Sequence, residues 1–434
     1  MDMKQIRWII IAFIGTVLLV NISCSRNQYD PEKHEEYVDS FLPVDTIDAM
    51  HSWMLTSTKP LSVKANVSVG AKKVQILSAN PRGGDGAEVL AETFIEDGKE
   101  VQMTVCCPST LTTLYAALVD EAENYTLTEF DSDKQRTVDF SNPLFVSQPL
   151  SYTPQPQEFV YGFEEKYPEP GDYDYNGVVL HISQQRTGEY EMRFNVTLAA
   201  VGTQRQVGAC INLLDYKYNE IESVTTVDGE SFNVNNGSEV SDQMVYVMRN
   251  PSNNEVIKDV FQSGGNGEAI INLFVDAHWA TGDVLTENYG QITRKKYNVS
   301  KSSGTDAQVM VPRTVSYLVT FKDNKYLNHL TLGRIDPFIV EENYGGRWEV
   351  HTYDCRKDKI YFNYTYTDMQ VLPWAIVVPS RKYRHPLDGV VVGYMKDGYL
   401  FGAYSTFGHS FGEWTADHTA SLDWYEYPTE TRVF

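Results

Sequence analysis

The residues best suited to chemistry form a short acidic motif, Asp172-Tyr-Asp174-Tyr-Asn176-Gly177. Calcium prefers hard oxygen ligands, and side chains two residues apart can converge on one ion when the chain curls around it. The spacing matches the first half of an EF-hand loop, in which Gly177 takes the sixth position and would permit the positive φ that a sharp turn needs. We therefore predict a calcium site with ligands from Asp172, Asp174 and Asn176.

The motif departs from a complete EF-hand loop at its far end. Counted from Asp172, the twelfth position is Ser183, where the full loop has a bidentate glutamate. The residues after the motif form an apolar, β-branched run over 178–182, which predicts a buried strand in place of an exit helix. The remaining ligands must then come from elsewhere, and Glu164 and Glu165 are the nearest upstream candidates. The alternative is an acidic turn whose side chains bond their own backbone.

The N-terminus has the pattern of an export signal. A short basic region precedes an apolar run over 8–20, which is shorter than a membrane-spanning helix requires. A small residue then precedes Cys24, as in the lipobox of bacterial lipoproteins, although Asn21 replaces the usual aliphatic residue. We predict a signal peptide over 1–23, lipidation of Cys24 and a flexible acidic tether over 24–49, with an uncleaved signal anchor as the alternative. The expected location is the outer membrane, on its cell-surface or periplasmic face.

Charge and cysteine content narrow the classes of partner. The chain has 36 Lys+Arg against 58 Asp+Glu, a formal net charge of −22, so its surface repels nucleic acid and we expect no nucleic-acid partner. With Cys24 assigned to the lipid, the spacing of Cys106, Cys107, Cys210 and Cys355 fits neither a zinc site nor a redox pair. Buried thiols are expected, and one long-range disulfide is the alternative. Adjacent cysteines in a strand would face opposite sides.

Hydrophobic and polar residues alternate along much of the chain, most clearly over 62–69 and 190–198, as half-buried strands require. The 12% aromatic content, with 28 tyrosines, is typical of antiparallel sandwiches. Residues 148–158 contain three prolines and no periodicity, which indicates a linker. We predict an all-β protein with an immunoglobulin-like sandwich over 50–150, followed by a larger β-sandwich or jelly-roll-like domain over 156–434.

Several segments of the larger domain resemble one known family. They are Phe163-Glu164-Glu165, Gly171 to Val179, Asp336-Pro-Phe-Ile-Val340 with Trp348-Glu-Val-His351, Leu372 to Pro379 with Pro386-Leu-Asp388, and Asp423-Trp424-Tyr425. Together they are similar to the LruC domain (DUF4842) family of Bacteroides-type cell-envelope lipoproteins. That family usually has Phe-Glu-Asp and Asn-Asp where this chain has Phe-Glu-Glu and Asn-Gly. One expected carboxylate is thus replaced by Gly177, which weakens metal binding or passes its role to Glu165. The resemblance implies an envelope protein and supplies no enzymatic activity.

One motif invites an enzymatic interpretation. Gly408-His-Ser410-Phe-Gly412 matches the G-x-S-x-G nucleophile elbow, which needs an Asp and a His later in the chain. Only 22 residues follow, and the adjacent Asp417 and His418 do not easily take the two separate positions of a triad. A glycine-rich loop between strands explains the motif better.

Tryptophans of the larger domain bear on a binding role, because exposed rings can stack on sugars. We expect Trp414 to be exposed, and Trp348 and Trp374 to be buried in apolar runs. The sequence thus predicts a non-catalytic, lipid-anchored, calcium-stabilised envelope protein that binds a glycan or a surface protein. A purely structural envelope or fimbria-associated component and a glycoside hydrolase are the alternatives.

Overall fold

The computed structural model describes most of the chain after the tether. The described residues are 44, 46–84, 86–141, 147–167, 171–232, 259–282, 286–288, 291–343, 346–352, 372–393 and 402–434. The predicted signal peptide, Cys24 and Cys355 lie outside these residues. Strands dominate the described part, and its helices are short, so the predicted all-β class is confirmed.

A smaller sandwich forms first. Its three-stranded sheet has the order β4–β1–β7, with β1 (Thr56–Lys64), β4 (Glu100–Pro108) and β7 (Thr137–Asp139). Its six-stranded sheet has the order β8–β6–β5–β2–β3–β9, with β2 (Ala71–Leu77), β3 (Glu88–Phe94), β5 (Thr113–Asp120), β6 (Asn124–Asp131), β8 (Gln148–Pro149) and β9 (Gln155–Pro156). Val63, Val105 and Phe130 belong to the core that the two sheets share.

A larger sandwich follows. Its six-stranded sheet has the order β14–β21–β12–β11–β10–β24, with β10 (Glu158–Phe163), β11 (Val178–Gly188), β12 (Glu191–Ala200), β14 (Ile221–Thr226), β21 (Arg313–Phe321) and β24 (Ala375–Val378). Its five-stranded sheet has the order β15–β16–β13–β22–β23, with β13 (Val207–Lys217), β15 (Phe261–Ser263), β16 (Glu268–Phe274), β22 (Ile335–Asn343) and β23 (Gly346–Val350). Both sheets contribute to one large core.

Smaller elements complete the described structure. Three two-stranded sheets consist of β17 (Thr286–Asn288) with β18 (Gln291–Thr293), β19 (Lys296–Tyr297) with β20 (Ala307–Gln308), and β25 (Ser405–Thr406) with β26 (His409–Ser410). The helices are α1 (Ala277–Ala280), α2 (Phe411–Ala416) and the 3-10 turns Tyr218–Glu220, Val227–Gly229, Leu327–His329, Leu332–Arg334 and Trp424–Glu426. Within the described ranges, no helix combines the length and the apolarity needed to cross a bilayer.

Period-two alternation explains the central strand β12. Its side chains alternate between the core and the outer face, and the inward set is Met192, Phe194, Val196 and Leu198. Burying each such side chain contributes about 1.5–3 kcal/mol. Strands β11 and β21 pair with β12 on its two sides, so the inward set lies at the centre of the sheet. The strand predicted over 190–198 is thereby confirmed.

The strand predicted over 62–69 is wrong beyond Lys64. Strand β1 covers Thr56–Lys64 and ends there. After it, the backbone N–H of Ala65 donates to the carbonyl of Lys99 at 2.8 Å, and Gly98 donates back to Ala65. The alternation continues past the strand because Val67 and Val69 still pack against the core from an irregular segment.

The two sandwiches contact each other through polar and apolar groups. The backbone N–H of Arg186 donates to Glu92 at 3.1 Å, and the Thr93 hydroxyl donates to Asn328 at 2.6 Å. Cys106 belongs to the larger core and Cys107 to the smaller one, so the adjacent thiols face opposite sides as expected. The domain boundary between 150 and 156 stays a prediction.

Candidate metal site

Three carboxylates converge at one end of the β10–β11 hairpin. Glu164 directly follows β10, and Asp172 and Asp174 lie in the loop that leads into β11. Because the two strands pair antiparallel, with Phe163 opposite Val178, the hairpin returns the loop to Glu164. One ligand oxygen from each of the three carboxylates lies within 4.8 Å of the others. These three predicted ligands are therefore brought together.

The Glu164 carboxylate is buried with one oxygen unsatisfied. The residue is 1% exposed, and its Oε1 accepts a hydrogen bond from the backbone N–H of Tyr175 at 2.6 Å. Its Oε2 has no hydrogen-bond partner among the described residues. Desolvation raises the pKa of Glu164 well above its usual range, and the nearby carboxylates of Asp174 and Asp172 raise it further. A cation would supply the positive charge that this oxygen lacks.

Asp174 connects the loop to a distant part of the chain. It is 2% exposed, and its Oδ2 accepts from the backbone N–H of Gly389 at 2.9 Å. Its Oδ1 accepts from the backbone N–H of Asn176 at 3.1 Å, the local bond that the acidic-turn alternative requires. Burial raises the pKa of Asp174 well above its usual range, and the charge of Asp172 adds to the effect. Asp172 itself is exposed at the mouth of the cluster.

Asn176 and Glu165, the other two predicted ligands, each lie within two residues of one of the three carboxylates in sequence. The Asn176 amide donates to the carbonyl of Pro386 at 3.1 Å, so its nitrogen side fixes the loop to the segment that contains Gly389. Burial raises the pKa of Glu165, and the charge of Asp172 also contributes. Glu165 therefore adds to the negative potential, while the group within 4.8 Å consists of Glu164, Asp172 and Asp174.

The loop is held in an unusual backbone conformation. Tyr173 and Tyr175 have φ values of 52° and 50°, in the left-handed region that costs about 1–2 kcal/mol for a residue with a Cβ. Their buried side chains offset this cost, and the Tyr175 hydroxyl donates to the carbonyl of Pro373 at 2.9 Å. Gly177 does not use the positive φ that its lack of a side chain would permit, because Tyr173 and Tyr175 adopt the left-handed conformation instead.

Glycines give the carboxylates room. A Cβ at Gly171 would lie 2.0 Å from Glu164 Oε2, and one at Gly177 would lie 2.4 Å from Glu165 Oε2. Gly177 is thus required for close approach. Sequence reasoning did not assign a role to Gly171 or Gly389. The position of Gly171 directly before the acidic motif could have pointed to it, whereas no sequence signal near Gly389 connects that residue with the motif.

The donor set suits a hard cation. All three converging groups are carboxylates, and calcium and magnesium bind oxygen in preference to nitrogen or sulfur. A nearby lysine, Lys296, is within electrostatic range of Asp172 and Glu165, but its ammonium contacts Asp388 at 2.6 Å. The residues present therefore fit a divalent cation held at the end of the hairpin.

The other residues singled out by sequence have structural roles. Ser410 is 4% exposed and caps helix α2, where its hydroxyl accepts from the backbone N–H of Glu413 at 3.1 Å. The predicted exposure of Trp414 is wrong, since its ring packs against Trp424 with centroids 5.8 Å apart and is 1% exposed. Trp348 and Trp374 are buried as expected.

Comparison with known proteins adds a family assignment. Residues 190–425, more than half of the chain, match the family model described as a domain of unknown function (DUF4842). A crystal structure of a putative lipoprotein from Bacteroides ovatus is similar with 14% identity and a TM-score of 0.47, covering 84% of this chain and 99% of that one. No curated protein matches. The acidic loop lies before the matched range. Because the match covers more than half of the chain, this protein belongs to the DUF4842 family.

Proposed function

We infer that this protein is a non-catalytic, lipid-anchored component of the bacterial outer envelope that serves as a binding or adhesion module, with its larger sandwich stabilised by calcium. One observation carries the metal: Glu164 Oε2 is buried and lacks a hydrogen-bond partner in the described part of the chain, in a carboxylate that has an oxygen within 4.8 Å of oxygens of Asp172 and Asp174. A bare acidic turn has no use for a third carboxylate buried in this way.

The position of the cluster explains how a cation would stabilise the fold. Asp174 and Asn176 contact Gly389 and Pro386, more than 200 residues away in sequence. Val392 also donates a backbone hydrogen bond to the carbonyl of Tyr173 at 2.8 Å. An ion held by the loop would thereby secure residues 386–392 against the hairpin, because the same side chains would bind the ion and that segment.

The anchoring part of the proposal rests on Cys24 and the acidic tether that follows it. A lipid on Cys24 would hold a strongly acidic protein at the membrane, and the tether over 24–49 would let the sandwiches extend away from a surface. A protein placed in this way is suited to contact a glycan or a surface protein.

Calorimetric titration of the purified protein with calcium tests the metal directly. We expect a Kd of about 10⁻⁴ to 10⁻³ M, typical of extracellular sites, and weaker binding of magnesium, which gives up its waters reluctantly. Asp174→Ala should abolish the binding heat, whereas Asp139→Ala, at an exposed carboxylate of strand β7, should preserve it. An unchanged titration for Asp174→Ala, or no calcium heat up to about 5 mM, would contradict the assignment.

A further inference from the structure

A cleft of about 620 Å³ lies where the two sandwiches meet. The smaller sandwich contributes Glu88 and Thr110, and the connecting segment contributes Tyr152 and Gln155. The larger domain contributes residues 379–382, Tyr425 and Glu426. The volume falls within the range of small-molecule sites, which occur preferentially at junctions between domains.

Hydrogen bonds and an ion pair fix the walls of the cleft. The Arg381 guanidinium donates to the carboxylate of Glu88 and to the carbonyl of Pro156, so it joins the larger domain to the smaller one. At the residue before Glu88, the backbone N–H of Ala87 donates to the Tyr152 hydroxyl at 3.3 Å, which ties the connecting segment to the smaller sandwich. A cleft fixed by such contacts is formed before a ligand arrives, which lowers the entropic cost of binding.

The lining groups favour a particular chemical class. Lys382 and Gln155 are exposed hydrogen-bond donors, and Glu426 is an exposed acceptor. Pro108, Leu111 and Pro379 add apolar surface between these polar groups. A saccharide matches this mixture because its hydroxyls donate and accept hydrogen bonds while its C–H faces pack on apolar surface. The charges that line the cleft balance, with Arg381 and Lys382 against Glu88 and Glu426, which suits a neutral ligand. Anionic polymers are disfavoured by the net charge of −22 of the whole chain.

We propose that this cleft binds a neutral oligosaccharide, with Lys382 and Glu426 contacting its hydroxyl groups. The inference rests on the proposed binding role and supplies the surface for it, but it does not involve the metal cluster.

The full chain should be titrated against arrays of neutral glucan, mannan, galactan and xylan oligosaccharides, with heparin fragments as anionic comparators. We expect binding to at least one neutral glycan and a Kd that rises about tenfold or more in Lys382→Ala and in Glu426→Ala, because each loses a charged hydrogen-bond partner. Lys72→Ala and Glu96→Ala are matched controls at exposed positions. Lys72 lies six residues along β2 from Ser78 at the cleft, about 20 Å away at the rise of a strand.

The possible outcomes of this titration distinguish glycan binding in the cleft from the proposed binding role of the protein as a whole. Neutral-glycan binding that is unchanged in both cleft variants would overturn the cleft while leaving the binding role intact. Binding to heparin fragments alone would overturn the neutral-saccharide assignment. No binding to any glycan would overturn the cleft, and the calcium titration would still judge the metal site separately. Melting curves of the four variants show whether each remains folded.

Discussion

Glu164→Gln is the most informative perturbation, because its effect on stability should be opposite in the absence and in the presence of calcium. The amide keeps an oxygen for the backbone N–H of Tyr175 and replaces the unsatisfied, ionisable Oε2 by a neutral NH₂ group beside the carboxylates of Asp172 and Asp174. Without a cation, this change removes a buried carboxylate from beside two others, so the variant should be more stable than the wild type. With calcium, it removes a ligand.

The magnitudes are large enough to measure. A buried polar group without a partner costs about 1–3 kcal/mol, which is the expected gain of the variant in EDTA. An ion that binds only the folded state stabilises it by RT ln(1 + [L]/Kd), which is about 1–2 kcal/mol at about 5 mM calcium for a Kd of about 10⁻⁴ to 10⁻³ M. The wild type should therefore gain several degrees in Tm with calcium, and Glu164→Gln should gain little.

Thermal melting in EDTA and in calcium gives the comparison, with Glu341→Gln as the matched control. Glu341 is also buried, but its two oxygens accept from the backbone N–H groups of Lys166 and Tyr167 at 3.0 and 2.8 Å. Its amide variant should lose stability in both conditions and keep the calcium response. If Glu164→Gln is destabilised in EDTA and still responds fully to calcium, Glu164 is not a ligand and the reasoning fails.

Three further outcomes are expected. Cys24→Ala should abolish incorporation of labelled fatty acid, and continued labelling would refute the lipoprotein assignment. Mild proteolysis should cut first within 148–158 and release two fragments with β-type spectra; a dominant cut within 60–140 would count against the two-domain boundary. Burial lowers the pKa of His385 to about 4, below the ordinary 6.5. The unfolded state therefore binds more protons than the folded state as the pH falls. The free energy of unfolding of the wild type should decrease by about 2 kcal/mol between pH 7 and pH 5 through this group. Denaturant unfolding should show this decrease for the wild type and not for His385→Asn.

The fold was predictable from sequence where a strand buries every second side chain in the core and exposes the others. The alternation over 190–198 became the central strand β12, because each inward side chain lies in the core between two packed sheets. The alternation over 62–69 predicted too long a strand, since apolar residues at 67 and 69 also pack from irregular backbone. A period of two reports which side chains are buried, and it does not report where the hydrogen-bonded ladder stops.

The candidate site was predictable only in its local half. The spacing of Asp172 and Asp174 identifies them as candidate ligands. Gly389 and Pro386, by contrast, contact the loop across sequence separations of 215 and 210 residues. The prediction that Trp414 is exposed was wrong for the same reason. Its polar neighbours in sequence suggested exposure, whereas the ring contacts Trp53, which lies in a distant part of the chain. No local pattern encodes such contacts.

The geometry of the cluster leaves two ways to be stable. Two ionised carboxylates with oxygens no more than 4.8 Å apart repel each other by at least about 3 kcal/mol at an effective dielectric constant of 20, and Glu164 and Asp174 are both buried. Either a proton or a cation must therefore neutralise the pair. A proton would relieve the repulsion at one oxygen, whereas a divalent cation could be shared by all three carboxylates. Because Asp172 is exposed, a cation could reach the pair from solvent, and the melting comparison between EDTA and calcium distinguishes the proton from the cation.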